Sequence, residues 1–399
     1  MSLTIFGKRI FQDVAATTTI GTSSANDRLE MISSTSRIAI GQNPSTGGEN
    51  AIALGRNTIA SNSSTIAIGD APTASGENAI SIGSQKSIAS GIGSIAIGAV
   101  SKATANGTLT MGSNSAANSQ YGIAIGSGAK AHADYKISLG FAAGQTSGTV
   151  GSRSVSIGFQ TNNGSDNIGN SSIAIGDNAD AIGGNSIAIG VGSKGRVADN
   201  ISIGNAAGTT TSTVGTGAIM IGLSAGSGTE GVGTDAILIG NTAKGLGAGT
   251  VAIGVTAKSH ANNDVSVGAY AASGTTTGSG GGAISIGYGS NYSLGASIGA
   301  FSVAIGAGAQ TAGTSGVAIG MSSMADDTGN IAIGNAALAK NAAGNIAIGK
   351  TADVTGGGST TGDASGIGRA VITIGTGSIS LGTSATVQDD RGIRIGSIS

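Results

Sequence analysis

Two branched apolar residues flank one other residue, usually small, and a Gly follows them; this four-residue pattern recurs 24 times between Ile38 and Gly396. The first copy is Ile38-Ala39-Ile40-Gly41 and the last is Ile393-Arg394-Ile395-Gly396. An apolar-small-apolar triplet alternates with period 2, so it predicts a short strand whose branched residues share one face. Ile and Val suit a pleated, half-buried surface, and the Gly frees the chain to turn. The first motif glycines, at 41, 55, 69, 83, 98, 112, 126 and 140, lie 14 apart with a single step of 15. A period held this long predicts a parallel β-solenoid in which each segment is one coil stacked on the last. At ~4.8 Å between neighbouring strands, the 24 coils would make a rod roughly 115 Å long.

A second period is laid over the first. From Gly140 the steps run 18, 18, 14, 14 to Gly204, repeat to Gly268, and then run 19, 19, 14, 14 to Gly334. Lys130, Lys194 and Lys258 fall 64 apart, as do His132, Arg196 and His260. Duplication of a four-coil block accounts for this. The additional residues bring Val150-Gly151, Ile168-Gly169 and Val214-Gly215, which predict bulges or an extra short strand on one side. After Gly349 the motif steps become 26, 7 and 14. The organisation expected is therefore regular β-roll over 36–350, with irregular repeats and a C-terminal cap over 351–399. Residues 1–35 lack the motif and are richer in charge and aromatics. They read as a cap or attachment segment, with Phe6, Lys8, Arg9 and Phe11 as candidates for docking on a partner.

Each coil is expected to bury its two branched side chains, worth roughly 1.5–3 kcal/mol each. That is a thin core for 14 ordered residues. The middle position of the triplet then faces the other way, and there 12 of 24 residues are Ala and 7 are Ser. A solvated face would scatter long polar side chains, so another backbone is expected close by. Packing against identical chains around an axis is the preferred reading, and packing inside its own narrow roll is the alternative. Asp389, Asp390, Arg391 and Arg394 cluster near the end of the chain, either as a solvated cap or as an inter-chain ring of ion pairs.

Composition removes most other chemistry. Among 399 residues there are 74 Gly, two Pro, two His and no Cys, and the net charge is −1. Too little Pro and no strict Gly-X-Y triplet exclude collagen. No basic patch favours nucleic acid, and no apolar run is long enough for a membrane helix. No thiolate metal site or Cys nucleophile is possible. Gly344-Asn345-Ile346-Ala347-Ile348-Gly349-Lys350-Thr351 matches the phosphate-loop spacing, but a repeat strand fills the stretch that should wrap phosphate. His132 and His260 occupy equivalent places without converging ligands. No enzyme, cofactor or metal is expected.

The segment Asn185-Ser186-Ile187-Ala188-Ile189-Gly190-Val191-Gly192-Ser193 closely resembles the head repeat of YadA-type trimeric autotransporter adhesins, as does Ser302-Val303-Ala304-Ile305-Gly306. The resemblance covers about residues 36–350. It implies a left-handed parallel β-roll, three identical chains side by side, and a surface or adhesive role. Ile187, Ala188, Ile189, Gly190, Val303, Ile305 and Gly306 stand at the positions that define the repeat. No secretory signal, neck, heptad stalk or membrane strands are legible, and bacteriophage fibres use the same roll. The expectation is therefore a virion structural rod that meets other virion proteins through its N-terminal segment and contacts a host glycan or protein. The head of a bacterial surface adhesin is the alternative, and a hexapeptide-type acyltransferase a distant third.

Overall fold

The computed structural model describes residues 18–19, 27–32, 35–164, 167–273, 280–292, 298–355 and 363–396. They form an all-β parallel solenoid of about 24 turns, and no helix occurs among the described residues. The chain divides into two compact units, 1–192 and 193–399.

In the first unit the triplet strands, from Arg37–Gln42 to Ile187–Ile189, pair parallel with the next in sequence. Like residues lie opposite like, so that Ala174 faces Ala188 and Ile175 faces Ile189. A second parallel sheet runs along another side of the coils, from Ser45–Thr46 to Lys130–Ala131, in two-residue strands. Asp27–Ile32 lies antiparallel on Arg37–Gln42, and Thr18–Thr19 pairs with it in turn. The N-terminal segment thereby covers a strand edge that would otherwise be open to pairing.

The second unit repeats the plan from Ile201–Ile203 to Ile393–Ile395. Its second sheet comes in pieces. Lys244–Gly245 pairs with Lys258–Ser259, and a longer ladder runs from Gln310–Thr311 to Thr386–Val387. The long coils account for the gaps. In the 18-residue coils the second sheet gives way to single parallel bridges, Thr146 to Gly164 and Val214 to Val232, whereas across the 19-residue coil from Gly349 to Gly368 the ladder continues. Among the described residues, the added ones form loops and no further strand.

The faces reverse the preferred expectation and follow its alternative, in which the small middle residues pack inside the narrow roll itself. Ala188 is fully buried, while Ile187 and Ile189 are half-buried and Ile305 is 36% exposed. The middle residues of the triplets meet the small residues of the second sheet, and one continuous cluster holds Ala89, Ala96 and Ala103. The lumen of a 14-residue coil is lined by Ala and Ser, which leave no space for two Ile per turn. Inner Ser residues meet their hydrogen-bonding needs locally, as Ser172 and Ser186 donate to the Gly169 and Gly183 carbonyls at 2.8 and 2.6 Å. Those two donors are thereby satisfied, whereas the buried Ser94 and Ser290 hydroxyls have no partner among the described residues.

Met and Leu enter where long coils widen the lumen, while Val371 and Val387 are buried in the 14-residue coils after Gly368. Met220, Val232 and Leu238 pack together in the coils from Gly204 to Gly240. The motif glycines are fixed by the stacking itself. Gly306 has φ +135°, and a Cβ there would stand 2.5 Å from the carbonyl oxygen of Gly320 in the next coil.

The expected irregularity over 351–399 is also corrected. The ladder runs from Ile346–Ile348 to Ser365–Ile367, then Ile379–Leu381 and Ile393–Ile395. The coil glycines are thus 349, 368, 382 and 396, with steps of 19, 14 and 14. Ile372–Thr373, which imitates the motif, belongs to the second sheet.

Candidate binding surfaces

The repeat residues divide by role. Ile187, Ile189, Val303 and Ile305 form part of an outward aliphatic face, two branched side chains per coil, whereas Ala188 fills the lumen. Gly190, with φ +126°, and Gly306 make the turn that follows. In the second unit Ile239, Ile286, Ile305 and Ile319 are each 36–37% exposed. They sit at the third triplet position and form a stripe on one sheet face. Stacked neighbours cover part of each side chain, and nothing among the described residues covers the rest.

Phe6, Lys8, Arg9 and Phe11 lie outside the described residues. The C-terminal cluster is solvent-facing. The Asp390 carboxylate accepts from the Thr376 backbone N–H at 2.8 Å, and the Arg394 guanidinium donates to the Thr386 carbonyl at 3.2 Å. Asp389, Arg391 and Arg394 are exposed, and among the described residues no ion pair joins the acidic and basic members within the chain.

The second unit contains a recess that the sequence analysis did not find. Two 14-residue coils, from Gly240 to Gly268, lie between the long coil ending at Gly240 and the long coil starting at Gly268. The short coils lack the added loops, so a notch of about 370 Å³ opens above them, lined by Lys244, Thr242, Thr256 and Lys258, with Ser227 and Ser273 at its walls. Glu230, from the preceding long coil, accepts from both lysines at 3.0 Å. Burial raises the Glu230 carboxyl, but the hydrogen bonds from Lys258 and Lys244 outweigh it and hold it below the usual carboxylate range. The Thr242 and Thr256 hydroxyls stand 3.2 Å apart, and Tyr270 takes the next place in their row, two residues after its coil glycine. Its ring is edge-on to Tyr288 and Tyr292 at 5.9 and 6.1 Å. One spacing in the sequence hints at it: Glu230, Lys244 and Lys258 are 14 apart, although Glu230 belongs to an 18-residue coil.

The remaining chemical candidates do not assemble. Gly344–Thr351 contains the strand Ile346–Ile348, which is paired in the solenoid ladder. His132 and His260 belong to different units. Burial, then Lys130 and Lys136, hold His132 below its ordinary value; burial, then Lys258, do the same for His260. Among the described residues no group of three His, Cys, Asp or Glu could hold a metal ion, and no helix is long and apolar enough to cross a membrane.

Segments 38–58, 47–71, 60–85, 89–115, 168–193, 246–271 and 297–323 match the YadA head domain repeat. The chain contains YadA head repeats. With its parallel β-solenoid, the chain is similar to the YadA head domain over these segments. The matches fall in both units and include the turns around Ile187 and Val303. The long coils from Gly204 to Gly240, which supply Glu230, lie outside every YadA head match, whereas the notch floor at Lys258 lies inside one. A search of curated proteins finds no match.

Proposed function

We propose that this chain is a non-enzymatic, adhesive head that works at a surface as a side-by-side homotrimer joined through its aliphatic face. One observation carries this reading: each unit presents half-covered Ile, Val or Leu residues, two in nearly every coil, along the outward side of its main sheet. Monomeric proteins rarely leave apolar patches larger than about 300–600 Å² in water. A face of this kind fits burial against identical faces, and closed symmetry would also shield strand edges. The head-repeat match supports three chains and a surface location. Mass in solution tests it. A trimer is expected, and a stable monomer of 37.6 kDa at micromolar concentration overturns it.

A virion fibre would use the same solenoid, but no feature of the fold favours it over a bacterial adhesin head. Neighbouring genes separate the two, with capsid or tail genes on one side and outer-membrane functions on the other.

A further inference from the structure

We propose that the notch over Lys244 and Lys258 binds a saccharide unit bearing a single carboxylate, such as a uronic or sialic acid residue. The proposal rests on the adhesive reading for its setting but not on the trimer, since every group involved belongs to one chain.

The charge balance selects the ligand class. Two ammonium groups face one carboxylate, Glu230, so the notch carries one surplus positive charge. Each ammonium has three donors, of which Glu230 takes one, leaving donors on both lysines for a second carboxylate. A phosphate dianion would exceed the available charge. A neutral sugar would leave that charge unanswered in a partly enclosed site, where ionic hydrogen bonds are the strong ones.

The remaining surface suits a sugar ring. Thr242 and Thr256 present hydroxyls in one row at the floor; the Thr242 hydroxyl donates to the Asn241 carbonyl at 2.8 Å, so towards a ring hydroxyl it accepts. Tyr270 extends that row with a ring 39% exposed and braced by Tyr288 and Tyr292. An aromatic face carries negative potential and attracts the weakly positive C–H groups of a pyranose. A volume of about 370 Å³ lies at the small end of ligand sites, as expected for a short saccharide. Glu230 acts as a positioning residue, holding both ammonium groups at the notch before a ligand arrives.

The notch depends on the order of coils. Two short coils between long ones make the recess, and only there does the second-sheet row begin with lysine twice in succession within the second unit. The later runs of short coils in that unit begin their second-sheet strands with Gln310, Met324 and Leu338, and with Ile372 and Thr386.

The test uses the full chain, titrated by calorimetry and saturation-transfer NMR with 3′-sialyllactose and a glucuronate disaccharide. Lactose serves as the neutral control and sulfate as the plain anion. At least one acidic saccharide should bind ten-fold or more tightly than lactose. Lys244→Gln with Lys258→Gln should weaken it more than ten-fold, and Tyr270→Asn, which tolerates the left-handed backbone at φ +59°, several-fold. Thermal melting of each variant separates lost contacts from lost fold. Absence of binding by both acidic saccharides at millimolar concentration overturns the proposal. So does unchanged binding in the folded double variant, or sulfate competing as well as the sugar. A monomeric protein that binds the sugar overturns the assembly reading alone, and a trimer that does not bind it overturns this one alone.

Discussion

The Lys136 ammonium donates to the Gly144 carbonyl at 3.3 Å, inside a lumen lined mainly by small residues. Lys136 is fully buried at the position that Ser154 and Ser172 occupy in the next two coils, and burial brings its pKa down to about 7. Its ordinary value is 10.5. Between those values the unfolded chain holds a proton that the folded chain has lost, so stability rises with pH. The destabilisation is complete below about pH 7 and disappears above the ordinary value. Lys136→Met should therefore raise the melting temperature most at pH 6 and remove the upward slope between pH 7 and 10.5. Melting curves of both proteins across that range check this.

Ile187→Asp with Ile189→Asp should convert the assembly to monomer while leaving circular dichroism and coil register unchanged, because both side chains face outward. Ala188→Leu should act differently. It adds volume to a filled lumen and should cost about 1–3 kcal/mol or more of stability, read by denaturant titration, before any effect on assembly. If the first pair unfolds the chain and the second leaves it intact but monomeric, the faces have been assigned backwards.

Gly306→Ala should be severe for so small a change. Holding a side chain at φ +135° costs about 1–3 kcal/mol, and the Cβ would also meet the Gly320 carbonyl. Hydrogen exchange should show protection lost first in the coils on either side.

Buried asparagines link coils in the second unit. The Asn330 side-chain oxygen accepts from the Asn345 N–H at 2.9 Å, and that of Asn345 accepts from the Ala364 N–H at 3.2 Å. Asn345→Ala leaves the second of these donors buried and unpaired, at a cost of about 1–3 kcal/mol. Exchange of the Ala364 amide should accelerate accordingly.

The coil architecture was readable because Ile187-Ala188-Ile189-Gly190 and its copies hold both period and residue type. Which face lies inside was not. Alternation shows that Ile189 and Ala188 point apart, and the usual preference of Ile for the interior gives the wrong answer in a lumen too narrow for it. The coil at Gly368 was missed because Ser365-Gly366-Ile367 lacks its first branched residue, while Ile372-Thr373-Ile374-Gly375 imitates a full motif in the other sheet. Met220 and Leu238 are exceptions to the small middle residue, explained only by the wider long coils around them. In the notch, Lys258 was legible as a member of a 64-residue series, but its partner Glu230 comes from the added residues of a long coil.

The ladder bonds point from one coil to the next, so tension drawn along the stack within a unit would load them one row at a time, as a zipper is opened. Each released 14-residue coil could extend by up to about 45–50 Å while giving up only about 4.8 Å of stacked length. A solenoid of this construction yields in many small, equal steps. It would lengthen and dissipate work under a sudden pull, and neighbouring coils would keep their register while one of them paid out.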